Sequence, residues 1–158
     1  MTMTPDIRRA TPEDAATVAR LNAHVQGWHA AHYPDAFFAA PDPAALTDHF
    51  RDRLQDPAVT CFLAGNPALG YALCSVVDRP QSVFSPPVRR VMVDHIAVAP
   101  QARRQGIGAA LLAAARALAR DKDCTEVMLD TWEANRDAHA FFRANGFAPR
   151  RMLYRGLP

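Results

Sequence analysis

The stretch from Val91 to Phe147 leaves the chain few folding options. It opens with the apolar, β-branched run Val91-Met-Val-Asp-His-Ile-Ala-Val98 and passes through the basic turn Arg103-Arg-Gln-Gly106-Ile-Gly108. It then enters Ala109–Arg120, where Leu111, Leu112, Ala115, Leu118 and Ala119 recur at helical spacing. A strand that feeds a glycine turn and then a helix leaves the first helical N–H groups without intrahelical partners, at the positive end of the helix dipole. Such a terminus attracts anions. Gly106 and Gly108 lack a Cβ, so a phosphate can approach the backbone and φ can turn positive. Arg103 and Arg104 add forked donors suited to phosphate oxygens. The pattern predicts a diphosphate cradle.

Two nucleotide-binding patterns are excluded by the residues that follow. A Walker-type loop needs Lys-Ser/Thr after its second glycine, and Gly108 is followed by Ala109-Ala110. A dinucleotide fingerprint needs a third glycine where Leu111 stands. The acyl-CoA signature Arg/Gln-x-x-Gly-x-Gly/Ala does match, as Arg103-Arg-Gln-Gly106-Ile-Gly108. Upstream lies Ile96-Ala-Val98-x-Pro100. Downstream lies Asn135-x-x-Ala138-x-x-Phe141-Phe142-x-x-x-Gly146-Phe147. With three ordered blocks, the chain resembles the GCN5-related N-acetyltransferase (GNAT) family.

The resemblance implies an α/β fold with a mixed sheet, the GNAT-like acyl-CoA N-acyltransferase fold, and acetyl-CoA as cosubstrate. By the same resemblance, two strands splay apart near Ile96, Ala97 and Val98, where exposed amides polarise the thioester carbonyl and pair with the pantetheine. The diphosphate would lie on Arg103, Arg104, Gln105, Gly106, Ile107, Gly108 and Ala109. Asn135, which also caps the last helix, and Ala138 would reach the pantetheine end, with Phe141 and Phe142 packing around the thiol. Many members carry at Phe142 a tyrosine whose hydroxyl protonates the leaving thiolate. That role is vacant here, leaving water, another hydroxyl such as Tyr154, or weak catalysis. A coenzyme A thiol ionises near pH 8.5, roughly, and is a fair leaving group, so loss of the acid should slow rather than abolish transfer.

For the attacking amine a base is wanted within hydrogen-bond reach, directly or through water. Asp94 and His95 are consecutive on the strand, so alternation predicts that at most one faces the acceptor. A histidine titrates near neutrality without help. Asp130, in Val127-Met-Leu-Asp130-Thr-Trp132, ends the following strand and aligns with an acidic residue that some bacterial protein N-terminal acetyltransferases of the family use as base. Each of the three also fits a purely structural hydrogen bond. Trp132 is placed to line the cleft.

The rest of the 158 residues reads as one domain, residues 1–158. With 49% apolar residues and a net charge of +2, a nucleic-acid-coating role is not favoured. Three cysteines without a Cys-x-x-Cys pair read as reduced thiols of a cytoplasmic protein. Met-Thr-Met-Thr-Pro lacks the apolar core of a signal peptide, and no run reaches membrane-spanning length.

Along the chain, Asp6–Ala10 reads as a short edge strand. Thr11-Pro-Glu-Asp opens a helix whose inner face is Ala15, Val18, Leu21, Val25 and Trp28. The aromatic, histidine-rich section His29–Phe38 offers two histidines at i, i+3, yet no third metal ligand follows, and an acceptor-pocket wall or a structural role fits better. Asp42-Pro43 caps a second helix with Leu46, Phe50 and Leu54 inward. A hairpin follows over Val59–Ala64 and Leu69–Val77, then a proline-rich loop, Asp78–Pro87, that is either a lid or a connector. A closing strand is expected over Met152–Leu157. The order is β-α-α-β-β-β-α-β-α-β.

The sequence therefore supports an acetyl-CoA-dependent N-acetyltransferase that acts by direct transfer to a primary amine of a small molecule or a protein N-terminus. No metal, nucleic acid or membrane partner is expected. The alternative is an acyl-CoA-binding sensor or regulatory module with little turnover, motivated by Phe142. Homodimers are common in the family, and no residue pattern here demonstrates one.

Overall fold

The computed structural model describes residues 5–158. Strand β1 (Ile7–Arg9) leads through a 3-10 turn (Pro12–Asp14) into α1 (Ala15–His32), followed by α2 (Pro43–Gln55). Strands β2 (Val59–Ala64), β3 (Gly70–Arg79) and β4 (Val88–Val98) form a meander. Helix α3 (Ile107–Asp121), strand β5 (Glu126–Leu129) and helix α4 (Arg136–Ala144) complete the order. The five strands lie in sequence order, antiparallel except for the parallel β4–β5 pair.

Strand alternation builds two cores from one sheet. Ala72, Cys74, Val91 and Val93 point to the face covered by Ile107, Leu111, Ala115 and Leu118 of α3. Tyr71, Leu73 and Ala97 point to the other face, beneath Val18 and Leu21 of α1 and Phe50 of α2. Each fully buried side chain of this size contributes roughly 1.5–3 kcal/mol. Local signals agree with this packing. Asp42 caps α2 by accepting from the Ala45 N–H at 2.8 Å, and Asp14 accepts from the Thr11 N–H at 2.9 Å while pairing with Arg8. One glycine sets the sheet-to-helix distance. A Cβ on Gly70 would meet Ile107 Cγ2 at 2.8 Å and the Ala97 carbonyl at 3.1 Å, so only glycine lets α3 begin directly on β3.

The expected helices on both faces and the mixed sheet are present. Strands β3 and β4 run longer than expected, to Arg79 and from Val88, which shortens the proline-rich loop to its tip. The closing strand expected over Met152–Leu157 does not form. Residues 148–158 are exposed and outside the sheet, drawn aside by Arg150 beside Glu126 at 3.8 Å and by an Arg155–Asp35 ion pair. Residues 1–4 of the Met-Thr-Met-Thr-Pro run, where no signal core was expected, lie outside the described residues. Among the described residues, no helix is long and apolar enough to cross a membrane.

Candidate active site

The pairing of β4 with β5 runs from Arg90↔Glu126 to Val93↔Leu129 and stops there, while β4 continues to Val98 against β3. The two strands therefore splay. The direction of the free amides follows from one bond, the Ala99 N–H to the Leu69 carbonyl at 2.7 Å. In an antiparallel ladder alternate residues turn their N–H and C=O toward the same neighbour, so Ala97 also faces β3. Ile96 and Val98 consequently turn their backbone groups into the splay. Arg103 Nε donates to the Val98 carbonyl on that side at 3.4 Å.

At the mouth of the splay the chain turns into α3. Gly106 has φ +81° with open space where a Cβ would be, and Arg104 also takes positive φ, at 62°. Ala110 is the first helical residue whose N–H reaches a carbonyl, that of Gly106 at 3.0 Å, so the N–H groups of Ile107, Gly108 and Ala109 precede the ladder. Arg103, Arg104, Gln105 and Gly106 are exposed around them. Gly108 also has a packing use. Its missing Cβ would come within 2.8 Å of Phe141 Cζ, so the glycine seats the Phe141 ring on the start of α3.

Three other basic residues of this region have structural partners. Arg116 donates to the Asn145 carbonyl at 2.6 Å and lies 4.6 Å over the Phe147 ring. Arg89 pairs with Asp78 and Arg90 with Glu126. This leaves Arg103 and Arg104 as the cationic side chains at the cradle.

The opposite face of β4 lies under α1 and α2, and here alternation fails. Leu73 pairs with His95 but Cys74 pairs with Val93, so Asp94 is an extra residue in a β-bulge. Asp94 bonds Ser75 and Arg53 of α2 at 2.9 Å. His95 Nδ1 lies 3.3 Å from the Tyr71 hydroxyl and its ring meets Phe50 of α2 edge-on at 5.8 Å. Both side chains thus lie on the α2 side, which corrects the alternation that would have sent them to opposite faces. Asn22, 5% exposed, donates to the Tyr71 hydroxyl at 2.9 Å and completes the chain to His95. Burial pulls the His95 pKa below its ordinary value, with the Asp94 charge partly opposing, and burial pushes the Tyr71 phenol up. Burial therefore favours the uncharged imidazole at His95.

Beyond this network the end of α1 and the β5–α4 connection are joined by aromatic rings. Trp132 lies 4.3 Å from Tyr33 and 5.2 Å from Phe37, and the Tyr33 hydroxyl accepts from the Ala134 N–H at 3.0 Å. His29 stacks on Phe37 while His32 stacks on Trp28, so the two histidines serve different rings. Asp130 is exposed at the end of β5. Asn135 Oδ1 caps α4 through the Ala138 N–H at 3.1 Å. Phe142 is buried between Phe141 and Phe147. Tyr154 is 85% exposed, its hydroxyl 3.6 Å from Met152 Sδ on the tail, away from the splay.

A strand splay beside a glycine cradle is the arrangement that an acyl thioester with a diphosphate tail requires. The acetyltransferase (GNAT) family model matches residues 23–147. The chain belongs to the GNAT acetyltransferase family. It is an N-acetyltransferase whose acetyl donor is acetyl-CoA. The aminoglycoside N(6')-acetyltransferase type 1 of Stenotrophomonas maltophilia is 34% identical over 157 residues, 98% of this chain and 94% of that protein. Among solved structures, the tetramutant of the BH1408 protein from Bacillus halodurans superposes with a TM-score of 0.88 at 22% identity, covering 97% of this chain and 99% of the other. The aminoglycoside acetyltransferase AAC(6')-Iy, bound to the bisubstrate analogue CoA-S-monomethyl-acetylneamine, gives a TM-score of 0.75 at 23% identity over 99% and 100% of the two chains.

Within this GNAT frame, sequence reasoning missed Asn22, Tyr71, Ser75, Arg53 and Gly70. No local signal could have found them: Asn22 and Tyr71 are 49 positions apart, and Arg53 and Asp94 are 41 apart. The bulge that aims Asp94 leaves no glycine or other mark in Val91–Val98.

Proposed function

We propose that this chain transfers the acetyl group of acetyl-CoA directly to a primary amine on an amino sugar of the aminoglycoside class. The observation that carries this reading is the 34% identity with an aminoglycoside N(6')-acetyltransferase along 98% of the chain. The acceptor side fits such a ligand. Aromatic rings at Trp132, Tyr33 and Phe37 offer faces to a saccharide ring, and the carboxylates of Asp130 and Glu133 lie on the same segment as Trp132 to meet further ammonium groups.

In this reading Arg103, Arg104, Gln105 and the N–H groups from Gly106 to Ala109 hold the diphosphate. Ile96 and Val98 pair with the pantetheine, Ala97 keeps that edge in register, and Asn135, Ala138, Phe141 and Phe142 flank its thiol end. His95 takes the proton of the attacking amine, directly or through water, because burial favours its neutral form and it directly precedes the first splay amide. To do so it carries its own proton on Nδ1 toward the Tyr71 oxygen, which has two lone pairs for His95 and Asn22. Asp94, tied to Ser75 and Arg53, supplies fixed negative charge beside the imidazolium that forms. Asp130 is the alternative base. The amine attacks the thioester carbonyl, an amide N–H in the splay holds the oxyanion, and the C–S bond breaks. The thiolate collects its proton from water, since Phe142 offers no hydroxyl.

The test is thiol release from acetyl-CoA with a panel of aminoglycosides, polyamines, amino acids and peptide N-termini. Release dependent on aminoglycosides is expected, and release only with another class would overturn the acceptor assignment. Phe142 favours a second reading, an acyl-CoA sensor with little turnover. If the missing acid limits the rate, Phe142→Tyr raises turnover about tenfold or more. Binding of acetyl-CoA without release from any acceptor, in both forms of the protein, would select the sensor.

A further inference from the structure

We infer that Arg53 of α2 is a positioning residue for His95: it holds Asp94 in the β-bulge and offsets its charge, which favours the uncharged imidazole that can take a proton. The catalytic consequence rests on the reading of His95 as the base.

Arg53 reaches this place for local reasons. It stands in the last turn of α2, where the carbonyl end of a helix favours a cation. It also follows Phe50 by three residues, so the two share one helix face. Phe50 meets the His95 ring edge-on at 5.8 Å, and that face therefore brings both an apolar wall and a positive charge to the bulged part of β4. Arg53 Nη2 donates to Asp94 Oδ2 at 2.9 Å and to Ser75 Oγ at 2.9 Å. The Ser75 hydroxyl in turn donates to the same carboxylate oxygen. The three groups close a triangle that joins α2, β3 and β4. With the Arg53 and Asp94 side chains only 32% and 27% exposed, water and salt screen the pair in part.

The two charges act on His95 in opposite directions. Asp94 by itself would favour the imidazolium, and a charged imidazole has no lone pair with which to accept a proton. A neutral residue in its place would leave nothing negative beside the imidazolium once it forms. A carboxylate paired with a guanidinium meets both needs, because Arg53 offsets the bias in the resting site while the carboxylate stays beside the ring. Burial is the largest cause that lowers the His95 pKa, Asp94 opposes it, and His49 and Arg53 of α2 and His29 of α1 act with burial. The Tyr71 hydroxyl of β3, with Asn22 of α1 behind it, faces the same imidazole as a neutral partner. Of these groups, Arg53 carries a positive charge that does not titrate in the working range.

Proton NMR of the His95 ring, assigned with His95→Gln, reads its titration independently of turnover, and kcat/KM against pH reads the consequence. Arg53→Met should move the His95 titration and the acidic limb of kcat/KM to higher pH, whereas Arg53→Lys should keep both near their original positions. Asp94→Asn should move the titration to lower pH, which checks the pair from its other member if Arg53→Met does not fold. A His95 titration left in place by Arg53→Met or by Asp94→Asn overturns the inference, and Arg53 is then only a tie between α2 and the sheet. A titration that moves as expected while the acidic limb stays still supports the action of Arg53 on His95, and overturns instead the reading of His95 as the base.

Discussion

A single inserted residue aims the polar groups of the cleft. Because Asp94 has no partner on β3, it and His95 both reach the α2 side, where a regular strand would have sent one of them toward α3. His95 then hangs from Tyr71 and Asn22, and burial lowers its pKa from 6.5. With a depressed folded value, the stability tied to its neutral form is complete above pH 6.5 and is lost as pH falls toward the folded pKa, because the unfolded chain takes the proton first. The acidic limb of the kcat/KM profile should accordingly lie below pH 6.5. His95→Gln should remove that limb and lower kcat by about 10²-fold or more. A limb that persists unchanged in this variant would move the base to Asp130. Tyr71→Phe should shift the limb while retaining acetyl-CoA affinity.

At the scale of elements, the turn into α3 separates conformation from packing at two glycines. Gly106→Ala places a side chain at φ +81° with nothing nearby to collide with. Its cost is backbone strain of about 1–2 kcal/mol, and distortion of the amides around the diphosphate should weaken acetyl-CoA in a titration. Gly108→Ala instead drives a methyl against Phe141 at 2.8 Å. It should lower the melting temperature through overpacking of about 1–3 kcal/mol. Arg103→Gln with Arg104→Gln should raise the KM for acetyl-CoA with little change in kcat, and the effect should shrink at high salt. An equal fall in kcat would mean that these side chains act on the transition state rather than on uniform binding.

Across the whole molecule, two cores share one sheet. Phe50 and Leu111 are each fully buried on opposite faces. Phe50→Ala should cost about 3–5 kcal/mol and Leu111→Ala about 2–5 kcal/mol. Since β2, β3 and β4 each contribute to both cores, each substitution should lower one common calorimetric transition instead of splitting it into two. Two separated transitions in either variant would show that the α1–α2 layer unfolds independently of α3. Nearly balanced charge over 158 residues also means that diphosphate binding at the α3 turn, as proposed, would depend on local groups and not on the overall field.

By itself the sequence determined the elements whose causes are local. The period of Leu111, Leu112, Ala115 and Leu118 set α3, Asp42-Pro43 and Asn135 set two helix starts, and Gly106 set the left-handed turn into α3. These follow from backbone sterics and hydrophobic spacing, which act over one or two turns. The tertiary structure alone decided what depends on partners far along the chain. It placed Asp94 beside Arg53 and His95 beside Tyr71 and Asn22, made Gly70 the seat of α3, and used Gly108 for Phe141. It also left Met152–Leu157 outside the sheet. A strand pattern specifies that a segment pairs with something, but the backbone hydrogen bonds that complete it belong to whichever edge is within reach, and that is a property of the assembled fold.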